Sequence, residues 1–290
     1  MKFLIFNIIV ILFSITLYSC NEDSVVNNQL YENGNFTYPY EINTAWYYGT
    51  RNFAYNFRPD SIKNIYGSDT LSGYGEAIFL RDTVVGIDTC RILRNAHSET
   101  GHAHATYELY KQTDTGLIRI AHYSNGTNFG PYRTDCRYKF SFNGKSYNSS
   151  REIFSEYKND LKSTTDIQQG DTVLIMDDPP VNTLKYPILK GMEWVIITDE
   201  TGGKITKKYS DYENINLLGS NYYCIKIQKQ WYFNFQTPVS ELIYFDYFSK
   251  EGMVKRDFTI KDIEVSNELG QTIGYFDAKE ESFLNIYFQP

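Results

Sequence analysis

The sequence predicts an all-β protein, mostly antiparallel: two related curved meander sheets, half-barrel-like, with one short helix between them. Three observations carry this. The chain of 290 residues holds 26 Tyr, 19 Phe and 3 Trp, an aromatic share of 17%, and these side chains favour strands. Runs of β-branched and aromatic residues alternate with turn signals at close spacing. Short motifs also recur in the same order in the two halves of the chain.

Composition narrows the function classes. Charged residues make up 22% and hydrophobic residues 42%, which suits a globular chain. The net charge is −7, with no Lys/Arg block, so nucleic acid is not an expected partner. Four cysteines in 290 residues do not make a disulfide framework.

The recurrence starts at Tyr38-Pro39, which precedes Trp46, and returns at Tyr186-Pro187 before Trp194, an offset of 148. Cys90-Arg91-Ile92 and Cys224-Ile225-Lys226-Ile227 follow. Gly116-Leu117-Ile118-Arg119 and Gly252-Met253-Val254-Lys255 come last, at an offset of 136. The shared order predicts two similar β units over 36–123 and 184–290, joined by a connecting segment over 124–183 that holds a hairpin and a helix. Chance matching of short motifs is the competing explanation.

Strands are expected over 77–85, 89–93, 106–111 and 117–123 in the first unit. In the second they are expected over 193–198, 204–209, 222–235, 242–248 and 253–260, with a last hairpin over 263–265 and 272–276. Asn143-Gly144 between 135–142 and 145–147 is a hairpin signal. Ser149 and Glu152 have capping-box spacing, and Ile153, Phe154, Tyr157 and Leu161 fall on one helical face, so a helix is expected over about 150–162. Asp177-Asp178-Pro179-Pro180 reads as a chain break.

Met1-Lys2, the apolar run Phe3 to Leu17 and a small residue before Cys20 form a signal peptide, too short for a span of about 20 residues. Leu17, Ser19 and Cys20 resemble the lipobox of bacterial lipoproteins, with Tyr18 where a small residue is usual. The resemblance implies removal of residues 1–19 and lipidation of Cys20, hence a membrane partner through an N-terminal lipid anchor. Asn21 in place of Asp implies, by the same resemblance, sorting to the outer membrane, on either its periplasmic or its surface side. The alternative is an ordinary secreted protein. Residues 20–35 are polar and read as a tether. The second half is further similar to a loosely defined set of outer-membrane lipoproteins with a Tyr-Pro…Trp opening, a Cys-x-Lys-Ile strand and a Gly-Leu-Val-Lys closing hairpin. That resemblance implies fold and address, and no activity.

Chemistry has few candidates. All four histidines lie between His97 and His122. His102 and His104 share a strand face, a spacing used in metal sites, and His97 or Glu99 from the preceding loop is the candidate third ligand. The competing reading is a solvated strand end. Pairing Lys111 with Gly116 would set Glu108 opposite Arg119 and Leu109 opposite Ile118. His122 would then lie on the apolar face with Ile118 and Ile120, away from His104. Catalytic motifs such as Gly-x-Ser-x-Gly and His-Glu-x-x-His are missing. Cys90 and Cys136 either bridge or, with Cys224, serve as buried thiols. No cofactor is called for. The reading is a lipid-anchored cell-envelope protein with a non-catalytic binding or structural role. A binder of glycans or of a hydrophobic ligand is the second reading, with a glycan or an envelope protein as partner. A metal-dependent enzyme using the histidines is the third.

Overall fold

A computed structural model describes residues 31, 36–66, 71–99, 102–124, 138–158, 173–198, 202–233 and 237–290. The strands are β1 (Ala45–Arg58), β2 (Leu71–Val85), β3 (Asp88–Glu99), β4 (His102–Thr113), β5 (Gly116–Ser124), β6 (Tyr138–Phe142), β7 (Lys145–Tyr147), β8 (Val173–Lys185), β9 (Glu193–Thr198), β10 (Lys204–Leu217), β11 (Ser220–Tyr232), β12 (Leu242–Ser249), β13 (Gly252–Asn267) and β14 (Thr272–Phe288). Among the described residues the strands are accompanied by the helices α1 (Ile62–Tyr66) and α2 (Ser150–Lys158).

All pairings are antiparallel and belong to one sheet in the order β8-β5-β4-β3-β2-β1-β14-β13-β12-β11-β10-β9. The two expected meanders are therefore two arms of one sheet, joined where β1 pairs with β14 along Ala45↔Phe288 to Arg58↔Tyr275. The sheet curls until its ends, β8 and β9, face each other, giving an all-β, nearly closed barrel. Each arm is a run of six strands, β1–β5 with β8 and β9–β14. Trp46 and Trp194 sit on the first strand of their runs, Cys90 and Cys224 on the third, and Gly116 and Gly252 open the fifth. The sixth strand of the first run, β8, falls within the 124–183 segment that the sequence suggests is a connection.

One mouth of the barrel is edged by two-residue turns: Gly86-Ile87, Asp114-Thr115, Leu218-Gly219 and Lys250-Glu251. We call it the tight-turn mouth. A core of Trp46, Phe79, Leu93, Trp194, Tyr209, Ile227, Phe248 and others fills the interior behind it. Tyr31, Phe36 and Tyr38 are buried in the same core. The Tyr31 hydroxyl donates to the Tyr223 carbonyl at 2.9 Å and lies 3.2 Å from that of Phe248. The chain thus fills this mouth with aromatics before it enters β1.

The opposite, helix mouth holds α1, α2 and the β6–β7 hairpin. Asn143 and Gly144 both take positive φ, 50° and 76°, as the tight hairpin turn requires. Ser149 Oγ accepts from the Glu152 amide at 3.3 Å, and the Glu152 carboxylate accepts from the Asn148 amide at 2.8 Å. The glutamate reaches one residue further back than a regular capping box. Ile153, Phe154 and Tyr157 are buried against Trp231, Phe258 and Phe276, so the amphipathic face seen in the sequence seats α2 on the inner wall of the second arm. Trp231 is part of this core, whereas Phe233, past the end of β11, is exposed.

Candidate functional site

The inner wall of the first arm carries a polar cluster created by facing bulges. In β8, Val181 pairs with Arg119 and Met176 with Ala121, so Asp177–Pro180 are looped out against one residue, Ile120. Pro179 and Pro180 have no amide hydrogen to give to a ladder, which is why they sit in the irregular stretch. The sequence reads this segment as a break; the structure makes it a bulged strand.

The register of the β4–β5 hairpin differs from the expected one in two steps, one at the turn and one at this bulge. Thr113 pairs with Gly116, not Lys111, and Arg119 faces Tyr110 rather than Glu108. That shift of two would keep the faces. The extra residue at Ile120 then moves the pairing by one more, so Glu108 faces His122. A one-residue step exchanges faces. His122 therefore turns to the same face as Glu108 and Arg119, away from the apolar set that includes Leu109 and Ala121.

Arg119 is held by Asp177, Nε to Oδ2 at 2.7 Å and Nη2 to Oδ1 at 3.2 Å. Its Nη1 lies 3.8 Å from Glu108 Oε2. Glu108 also accepts from Asn95 Nδ2 at 3.1 Å and from the Tyr110 hydroxyl at 2.5 Å. His122 Nδ1 lies 3.3 Å from Asp177 Oδ1, with both side chains buried. Burial pushes the Asp177 carboxyl up, but His122 and Arg119 outweigh it and hold the group below its ordinary range. Burial, then Glu108, raises Tyr110 well above the usual phenol value. One guanidinium facing two carboxylates makes a fixed charge cluster that ties β4, β5 and β8 together.

The second arm carries a related pair on the fourth and fifth strands of its run, where the first arm has Glu108 and Arg119. Arg256 on β13 is forked onto Asp246 on β12 at 2.6 and 3.2 Å. The Tyr244 hydroxyl donates to Asp246 at 3.2 Å. Lys158 at the end of α2 pairs with buried Glu280, and Lys229 Nζ lies 3.3 and 3.2 Å from the Tyr157 and Lys158 carbonyls. A cation there satisfies helix C-terminal carbonyls. Burial raises the Glu280 carboxyl, while Lys158, His97 and Arg256 lower it, and the net shift is downward.

His97 is thus near Glu280. It passes over Gly75, whose absent Cβ would lie 3.4 Å from Nδ1, and it is exposed. The register pairs His97 with His104 and Glu99 with His102; the side chains of His102 and His104 lie outside the described residues. Among the described residues no three His, Cys, Asp or Glu side chains converge as metal ligands. Cys20 and Cys136 lie outside the described residues. Cys90 and Cys224 are free and buried, and burial raises both thiols, which suits inert packing.

A cleft opens at the surface at each mouth. The larger, of about 490 Å³, lies at the helix mouth between Phe142, Asn143, Glu241, Asp262, Glu264 and Tyr275. The smaller, of about 350 Å³, lies at the tight-turn mouth beside Tyr38, Tyr40, Arg91, Gln112, Lys250 and Gln289. Sequence reasoning missed Asp177 and the larger cleft. For Asp177 the available signal was an acidic residue beside two prolines within reach of a strand edge. For the cleft there was none, because its walls come from β6, β13 and β14.

No family model and no curated protein matches the chain. Two solved structures are similar to the chain over most of its length. One is a Bacteroides fragilis protein described as exported, with a YmcC-like fold: 8% identity, TM-score 0.36, covering 88% of this chain and 99% of that one. The other is a Parabacteroides distasonis protein described as a lipoprotein: 9% identity, TM-score 0.34, covering 87% and 98%. At this identity and these scores the likeness assigns no role to this chain.

Proposed function

We propose that the chain is a lipid-anchored cell-envelope protein of the outer membrane with a non-catalytic binding or structural role. The observation that supports it most is the placing of Tyr31. This residue is buried in the tight-turn mouth, eleven positions after Cys20 in sequence, so a lipid on Cys20 would tether that end. The helix mouth, with its larger cleft, would then point away from the membrane. Substituting Cys20→Ala tests the anchor. The variant should lose the lipid and leave the membrane fraction; a variant that fractionates and matures like wild type sinks the reading.

A second reading, glycan binding, is favoured by the larger cleft. Tyr275 is part-exposed there beside Asn143 and the carboxylates of Glu241, Asp262 and Glu264. Ring faces and planar hydrogen-bonding groups of this kind suit sugars. Asp262 is already engaged by Arg58 at 2.8 Å and Glu264 by Thr272, which leaves Glu241 as the carboxylate to test. Titration against a panel of envelope polysaccharides should show binding that Tyr275→Ala weakens about tenfold, since a stacking anchor is worth about 1–2 kcal/mol. Equal binding by both proteins excludes this cleft.

A further inference from the structure

We infer that the tight-turn mouth rests on the lipid surface, with Ile87 and Leu218 as the side chains that enter it. The inference builds on the proposed anchor at Cys20 and adds an orientation and a contact. Ile87 is fully exposed and Leu218 is 75% exposed. Each sits at the tip of a two-residue hairpin, one between β2 and β3, the other between β10 and β11. These are the second-to-third-strand turns of the two arms, so the tips stand on opposite walls of one mouth.

Single exposed apolar residues are common and mean little alone. Two features set these apart. First, Leu218 has φ of 52° and Gly219 of 85°. A turn with positive φ at both positions is cheapest with Asn or Gly first, and a leucine there is unfavourable both for its backbone and for its exposure. Folding gives no reason for it. Second, ten residues separate Cys20 from Tyr31, which span at most about 40 Å when fully extended. The tether holds this mouth at high effective concentration near the bilayer, so weak insertion by two side chains suffices. The opposite mouth supplies a control: Leu269, at the tip of the β13–β14 hairpin, is 82% exposed but lies at the far end of the barrel.

The test uses the full-length lipidated protein in phosphatidylcholine vesicles, with Cys136→Ser removing one thiol and Cys90 and Cys224 shielded by burial. Single cysteines at Ile87→Cys, Leu218→Cys and Leu269→Cys carry an environment-sensitive fluorophore, and a fraction of the lipid carries a quencher in its acyl chain. Labels at 87 and 218 should be quenched and blue-shifted, and the label at 269 should not. Mass spectrometry of the same protein reports acylation of Cys20. If Cys20 is acylated and all three labels behave alike, the contact is refuted while the anchor stands. If Cys20 is unmodified, the anchor reading fails, and the contact is read from vesicle partition of that protein. Ile87→Asp with Leu218→Asp should then lower partition about tenfold, and an unchanged partition refutes the contact.

Discussion

At Glu41–Trp46 and again at Leu189–Trp194 the chain makes the same turn into the first strand of an arm. The Thr44 amide donates to Glu41 O at 3.1 Å, and the Met192 amide to Leu189 O at 3.0 Å. Asn43 and Gly191 both have positive φ, 67° and 90°. Asn43 N donates to the Phe79 carbonyl at 2.7 Å and Thr44 O accepts from the Phe79 amide at 3.1 Å; Gly191 N donates to the Tyr209 carbonyl at 2.7 Å and Met192 O accepts from the Tyr209 amide at 3.0 Å. Trp46 then packs on Phe79 and Trp194 on Tyr209, with ring centroids 5.8 and 4.8 Å apart. What differs is the neighbour. β1 has a full ladder with β14. β9 meets β8, whose backbone is interrupted by the proline bulge, and no ladder forms. Side chains close that seam instead: Trp194 Nε1 donates to Asn182 O at 2.8 Å, and the Tyr209 hydroxyl donates to Lys185 O and accepts from Lys185 N at 2.7 and 3.0 Å. One local sequence code therefore serves two kinds of closure.

The largest expected effect separates the two tryptophans. Trp46 is fully buried, donates to Glu251 O, and lies so close to Gly252 that a Cβ there would be 2.6 Å from its indole nitrogen. Trp46→Ala should cost about 4–5 kcal/mol and Trp194→Ala about 3 kcal/mol, within the usual span for large-to-small core changes. Urea denaturation of both variants checks this. A larger loss at Trp194 would mean that the seam, not the ladder, is the stronger closure.

Next is the bulge that opens the seam. Asp177→Asn leaves Arg119 buried with Glu108 as its remaining carboxylate, and should cost about 3 kcal/mol at neutral pH. The folded carboxyl of Asp177 is held below its ordinary value, so folding binds fewer protons at this site than the unfolded chain does. Its contribution is present above the unfolded pKa and is lost as pH falls through the folded one. The gap between wild type and Asp177→Asn should therefore narrow below about pH 4. A gap independent of pH would show that the ion pair contributes nothing to closing the first arm.

How much of this was legible in the sequence depends on the range of the signal. The hairpins were readable because their turns and alternation are local: Asn143-Gly144 and the runs around it fold as their residues suggest. So was α2, from its cap and its apolar face. The order in which arms join was not, since β1 meets β14 across more than 200 residues and carries no turn signal. The histidine geometry failed for a different reason. Parity arguments survive a shift of two but not one inserted residue, and Ile120 is that residue. Its bulge answers to Pro179 and Pro180 on β8, a partner the hairpin itself does not contain.

A smaller change tests the seam alone. Tyr209→Phe removes the hydroxyl that bridges to Lys185 and keeps the ring on Trp194. The loss should be about 1–2 kcal/mol for two buried hydrogen bonds. Its counterpart in the first arm is already Phe79, where the β1–β14 ladder leaves no edge to bridge. Thermal melts of Tyr209→Phe and of Trp194→Ala in single and double form measure the coupling. Additive losses would mean that the two side chains close the seam independently.

The smallest effect examines the shared turn itself. Gly191 has φ of 90°, and a Cβ built on it meets nothing within 4 Å. Any cost of substitution there is backbone cost, free of packing. Asn43 holds the equivalent place with φ of 67°, and asparagine is among the side chains that tolerate this region. Gly191→Asn should therefore cost no more than about 0.5 kcal/mol, while Gly191→Val, β-branched and poorly suited to positive φ, should cost about 1–2 kcal/mol. Asn43→Gly, the reverse exchange, should stay within about 0.5 kcal/mol, because relief at positive φ offsets the greater freedom of the unfolded glycine. The midpoints of urea denaturation for the three variants give the comparison. If Gly191→Asn is as costly as Gly191→Val, the two turns differ in what their backbones demand, and their matching hydrogen bonds are a coincidence of geometry.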